Sequence, residues 1–167
     1  ARATDERTAI CAVLPYSGVG HSCYTLTFDS ATVDLADCCV ANLNAFCFDW
    51  VTRQKLPGAN LSAFVLKQLP LATPETYQKP WPWIDGYCQI REWIRPRVLE
   101  LTYTAWDLEP FAKDCGFDGP PFRWDENRRF LIRAELDAAF FHLYLPADPN
   151  GEWVKADKET EEDLKQL

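Results

Sequence analysis

The chain has 167 residues, 47% of them hydrophobic and 14% aromatic, with a net charge of −8. That composition supplies one packed core and excludes disorder of the chain as a whole. Residues 1–70 carry five basic and six acidic side chains, 71–146 carry nine and twelve, and 147–167 carry three and seven, so half of the excess sits in the tail; a self-sufficient nucleic-acid binder would be basic.

The elements follow in chain order. Thr8–Leu14 is a short apolar run that reads as a buried strand, Pro15–Gly20 as a loop, and His21–Phe28 as a second strand able to pair with the first across that loop. From Ser30 the period changes: Leu35, Cys39, Leu43, Phe46 and Trp50 recur at helical steps and predict one long helix, with Asp29 or Ser30 as cap and Arg53 and Lys55 near its C-terminal end. Arg53–Asn60, with Pro57-Gly58, is a turn, and Leu61–Leu71 reads as a strand.

Residues 72–89 hold Pro, Trp and Tyr without period and predict an ordered aromatic loop. Pro96 is expected in the first turn of a helix reaching about Trp106, with Val98, Leu101 and Ala105 inward. Pro110 opens another helical turn, stopped by Gly116. Asp125 caps a long helix to about Tyr144, whose inward row is predicted to be Phe130, Ala134, Ala138 and Phe141. The expected class is thus α+β: a small mixed unit over 1–71, an aromatic loop and mostly helical unit over 72–146, and an acidic tail over 147–167.

Few chemical signatures are present. The seven cysteines include no C-x-x-C pair, and the histidines are His21 and His142, so reduced, buried thiols are expected rather than a metal site. Ser17-Gly-Val-Gly-His-Ser22 lacks the lysine and spacing of a phosphate-binding loop, and Ser22 beside His21 is a neighbour pair without the elbow of a nucleophile. Carboxylate pairs such as Asp85/Glu92 or Asp107/Glu109 obey no spacing rule of a glycosidase. Helical spacing allows an Arg133–Asp137 ion pair, worth a few tenths of a kcal/mol. No window approaches the roughly 18 apolar residues of a membrane span. The charged opening Ala1–Arg7 is not a signal peptide, so a cytoplasmic location is expected. No Met occurs and the chain opens on Ala1, which suggests a piece of a longer protein.

One stretch stands above this background. Asn42–Leu71 reads as a helix, a polar glycine turn and a strand ending in Leu-Pro, and it gathers Arg53, Gln54, Lys55 and Asn60 at the turn, groups that suit phosphates and base edges. This block resembles the end of the target-recognition domain in large restriction-modification and phage-defence DNA adenine methyltransferases, and is similar to type I specificity subunits. Arg2–Thr8, Leu99-Glu-Leu-Thr-Tyr-Thr-Ala-Trp-Asp-Leu-Glu-Pro-Phe-Ala112, and Pro120-Pro-Phe-Arg-Trp-Asp-Glu-Asn-Arg-Arg-Phe130 through Tyr144 resemble the C-terminal region of the same enzymes, in the same order.

The chain departs from that pattern at Asp5, Ala45 and Pro57, where the family has Asn, Ser and a second Gly; the first two departures remove polar groups. It holds no Asn-Pro-Pro-Tyr or Asp-Pro-Pro-Tyr loop for a flipped adenine and no glycine-rich cofactor loop. The resemblance therefore implies a non-catalytic piece downstream of a methyltransferase domain. That domain would bind S-adenosylmethionine, and the whole protein would engage double-stranded DNA. Arg53, Gln54, Lys55 and Asn60, then Arg7 and Arg2, are the DNA-contact candidates. The alternative is a docking module for a partner subunit, with an apolar patch centred on Trp81, Trp83 and Trp93.

Overall fold

The run Thr8–Leu14 does not pair with a second strand. In the computed structural model, which describes residues 6–20, 23–30, 32–56, 58, 61–80 and 89–145, it lies against two helices, α1 (Ala36–Asn44) and α2 (Phe46–Lys55). Side chains of those helices take the place of a neighbouring strand. Asp49 Oδ1 accepts the N–H groups of Thr8 and Ala9 at 2.5 and 2.7 Å. Asn44 accepts from the Cys11 N–H at 3.0 Å and donates to its carbonyl at 2.9 Å. These bonds serve residues 8, 9 and 11, while Ile10 and Leu14 are exposed to solvent, so the run is neither paired in a sheet nor buried throughout.

The expected strand Leu61–Leu71 is also absent. Ser62 caps a short helix, α3 (Ala63–Leu66), by accepting the Val65 N–H at 3.3 Å. Pro74 opens a second short helix, α4 (Pro74–Tyr77). Among the described residues the only strand-like feature is an isolated bridge between Pro80 and Gln89. The α+β expectation is therefore corrected to a mostly helical fold; of the expected second strand, His21 and Ser22 lie outside the described residues, and 23–28 form no strand.

The predicted long first helix divides at Ala45, whose backbone is extended (φ −70°, ψ 143°). The break turns the periodic row: Leu43 is buried on α1, whereas Phe46 and Trp50 on α2 face outward. The next long helix, α5 (Ile90–Thr102), carries Pro96 in its interior rather than its first turn. Proline removes one ladder bond, and Arg97 beside it turns its guanidinium onto the Trp93 carbonyl at 2.9 Å. Glu92 reaches back to the Gln89 N–H at 3.1 Å and ties down the start of the helix.

After a 3-10 turn at Trp106–Leu108, Pro110 lies in the first turn of α6 (Glu109–Asp114), and the chain leaves through Gly116 at φ +75°, as the sequence predicts. The last helix, α7 (Glu126–Tyr144), is capped by Asp125, which accepts the Arg128 N–H at 2.9 Å. Its inward row differs from the expected one. Ile132, Leu136, Ala139 and Phe140 are buried, while Phe130, Ala134, Ala138 and Phe141 are exposed.

One core draws on both predicted units: Cys38, Phe48, Ile94, Val98, Ile132 and Phe140 meet in it. A smaller cluster of Leu99, Tyr103, Ala112 and Cys115, covered by Phe117 and Phe122, closes the α5–α6 end. Buried Asn42 joins α1 to two later segments. Its Oδ1 accepts from Tyr77 Oη and the Ala72 N–H, both at 3.0 Å, and its Nδ2 donates to Tyr144 Oη at 2.7 Å. Tyr144 in turn donates to the Pro70 carbonyl at 2.8 Å.

Candidate nucleic-acid interface

The predicted DNA-contact residues that the structure describes gather at α2 and the segment packed on it. Helix α2 ends with two cations in its last turn, where they complement the carbonyl end of the helix. Arg53 turns inward: its Nε donates to Asp49 Oδ2 at 3.0 Å, and its Nη2 donates to the Glu6 carbonyl. Gln54 and Lys55 are exposed beyond it, followed by exposed Gly58. Arg2 and Asn60 lie outside the described residues, as do Asp5 and Pro57.

Arg7 is also engaged. Its guanidinium pairs with Asp137 of α7 at 3.1 Å and lies 5.4 Å from the centroid of the Phe46 ring. Arg7 and Arg53 therefore hold the 6–9 segment between α2 and α7, and each faces a carboxylate. The corner is close to neutral, not a basic groove. Phosphate affinity grows with the number of cations available to neutralise phosphates, and among the described candidates Lys55 is the cation left at the surface.

Further charges are used inside the fold. Asp37 is fully buried and takes Arg95 Nε at 2.7 Å, and Arg95 Nη2 also donates to the Asp34 carbonyl. Arg97 pairs with Glu135 at 2.7 Å and stacks over Trp93 at 3.5 Å. Trp93 is thereby half-buried, and Trp81 and Trp83, the other residues of the predicted tryptophan patch, lie outside the described residues. The spacing-based Arg133–Asp137 pair does not form: Arg133 binds Glu126 at 3.3 Å, and Asp137 binds Arg7.

A shallow hollow of about 280 Å³ lies between α1 and α4, lined by Phe28, Leu35, Cys39, Asn42, Leu71 and Tyr77 among others. Both acceptor positions of Asn42 Oδ1 are already filled. Burial pushes the thiol of Cys39 and the hydroxyl of Tyr77 up, so both are neutral there. No carboxylate lines the hollow, whose polar side chains are those of Thr32, Asn42 and Tyr77. Among the described residues no cluster of His, Cys, Asp and Glu could hold a metal ion, and no helix is long and apolar enough to cross a membrane. His142 is kept below its ordinary pKa by desolvation, and His21 lies outside the described residues.

One surface not expected from the sequence lies on the outer side of α7. On α7 the exposed row opposite the core is itself apolar, and Phe141 carries it onto α2 through a ring contact with Phe46 at 5.9 Å. Both apolar rows of the 126–144 helix are visible in the sequence. Which one faces inward depends on α2 and α5, with which the helix packs. Comparison of the chain with protein families, with curated proteins and with solved structures returns no match.

Proposed function

We propose that this chain is a non-catalytic C-terminal body of a DNA adenine methyltransferase from a restriction-modification or phage-defence system, bracing the target-recognition fold beside the catalytic domain. The observation that carries this reading is the mutual packing of the segments that resemble those enzymes. Asn42 of the 42–71 block bonds Tyr144 of the 120–144 segment, and the Phe122 N–H donates to the Tyr103 carbonyl at 2.8 Å, joining the 99–112 segment to the 120–144 segment. Segments separate in the sequence thus make one body, as expected of a unit retained whole at the end of a larger enzyme. Arg7 and Arg53 serve that bracing, and Gln54 and Lys55 are the side chains left to meet double-stranded DNA.

The reading is tested on the gene. An open frame upstream of Ala1 that encodes an Asn-Pro-Pro-Tyr-type loop is the expected result; a frame that starts with Met immediately before Ala1 and stops after Leu167 overturns it. In the full enzyme, Lys55→Glu is expected to weaken DNA binding more at low salt than at high salt. Affinity unchanged across a salt series removes Lys55 from the interface.

A second reading, a docking module without DNA contact, is favoured by the outward apolar row of α7, since patches of several hundred Å² on a surface mark interaction sites.

A further inference from the structure

We infer that α7 pairs antiparallel with α7 of a second copy of this chain, about a two-fold axis that passes between Ala134 and Ala138 on the outward face. The inference rests on the docking reading of the outward face and names its occupant. That face follows a heptad seam: Asn127, Leu131, Ala134, Ala138, Phe141 and Leu145 recur at alternating steps of four and three residues. Each of these six is exposed in the single chain.

The order of sizes along the seam makes it self-complementary. Reversed about Leu136, Ala134 meets Ala138 of the other copy, Leu131 meets Phe141, and Asn127 meets Leu145. Small residues at the centre allow the two helices to approach closely, and the Leu131–Phe141 pairs flank them on both sides. A two-fold contact needs a surface that fits itself in this way. The charged groups beside the axis raise no obstacle. Glu135 and Asp137 are neutralised within each copy, by Arg97 at 2.7 Å and by Arg7 at 3.1 Å.

The seam together with the exposed aromatics Phe46, Trp50 and Phe130 approaches the area of a standard interface. Phe46, Trp50, Phe130, Leu131, Phe141 and Leu145 are each between 38% and 65% exposed. With about 200 Å² for a large apolar side chain, they present roughly 600 Å² per copy before the alanines are added. A standard interface takes about 800 Å² from each partner.

The experiment is sedimentation of the full chain over a wide concentration series, with two variants. The wild-type chain is expected to move from its 19.2 kDa mass to twice that value as concentration rises. Ala134→Glu and Ala138→Arg alone are each expected to weaken association by about tenfold or more, because a charge enters the centre of the seam. Mixed in equal amounts they are expected to pair again, since the introduced carboxylate of one variant meets the introduced guanidinium of the other only in the antiparallel register. Both positions are exposed, so at dilutions where the wild type is monomeric, helicity and urea midpoint should match it and show that each variant is folded. A chain that stays monomeric throughout overturns the inference and assigns the face to residues 146–167 or to another protein. Dimers that persist in both variants, or variants that do not pair on mixing, overturn the antiparallel register. The methyltransferase reading stands or falls separately, on the gene.

Discussion

Asp137 on α7 caps α2: its Oδ1 accepts the Phe46 N–H at 2.6 Å across 91 residues of sequence. The residue at the local cap position, Ala45, has no side chain able to do this. The same carboxylate holds Arg7, so one side chain sets the start of α2 and the placing of the N-terminal segment. Asp137→Ala is expected to lower stability by about 2 kcal/mol, a lost cap plus a lost half-exposed pair. Asp137→Asn, which keeps an acceptor for Phe46, should lose clearly less. Urea unfolding of the three proteins checks this; equal losses for Ala and Asn would show that charge, not capping, is what matters.

The fully buried Asp37 has one cationic partner, Arg95, itself only 26% exposed at its side chain. Removing the cation leaves a buried carboxylate without compensation, which costs about 3 kcal/mol or more. Arg95→Met is therefore expected to destabilise strongly, and Asp37→Leu combined with Arg95→Met to recover part of the loss. A double variant at least as unstable as Arg95→Met would refute this account of the pair.

Alkaline pH should unfold the protein through its thiols. Burial pushes Cys11 and Cys47 up to about 11 and Cys115 to about 12; Cys38 lies well above the thiol range, for the same reason and because Asp37 adjoins it. An unfolded thiol ionises near 9. Between about 9 and about 12 the folded state therefore holds more protons than the unfolded one, and stability must fall as pH rises through that window. Urea midpoints near neutral pH are expected to be flat with respect to these groups and to drop above about 9. Site-resolved alkylation supplies a second measure: among the described cysteines, exposed Cys23 reacts first, and Cys38 and Cys115 react only on unfolding.

Gly119 is closed off by an aromatic ring. A Cβ there would lie 2.5 Å from Phe117 Cζ. That ring stacks on Phe122 at 5.1 Å and meets Tyr103 edge-on at 6.2 Å, so it can move only by disturbing the smaller core cluster. Gly119→Ala should cost about 1–2 kcal/mol, with the loss confined to the α5–α6 end in hydrogen-exchange measurements. A neutral outcome would mean that the ring swings aside freely.

Part of the candidate site was legible and part was not. Arg53 and Lys55 at the end of a helix were readable from periodicity and charge. The engagement of Arg53 with Asp49 and the Glu6 carbonyl was not, because Glu6 is brought to it by the packing of the N-terminal segment rather than by helical spacing. The same holds for Asp137, which helical spacing offered to Arg133 but the fold gave to Arg7 and Phe46.

The sequence by itself determined the elements whose signals are local. Asp125 begins α7, Pro110 and Gly116 bound α6, and the helical period of 35–50 marks helix, because a cap, a fixed proline φ and a glycine at φ +75° act within one turn of chain. Only the tertiary structure decided between strand and irregular chain for Thr8–Leu14, where Asp49 and Asn44 supply the hydrogen bonds a neighbouring strand would have given. It also decided which of the two apolar rows of α7 entered the core. A short apolar run or a helix apolar on both sides has more than one way to bury its surface, and the choice rests with distant segments that pack against it.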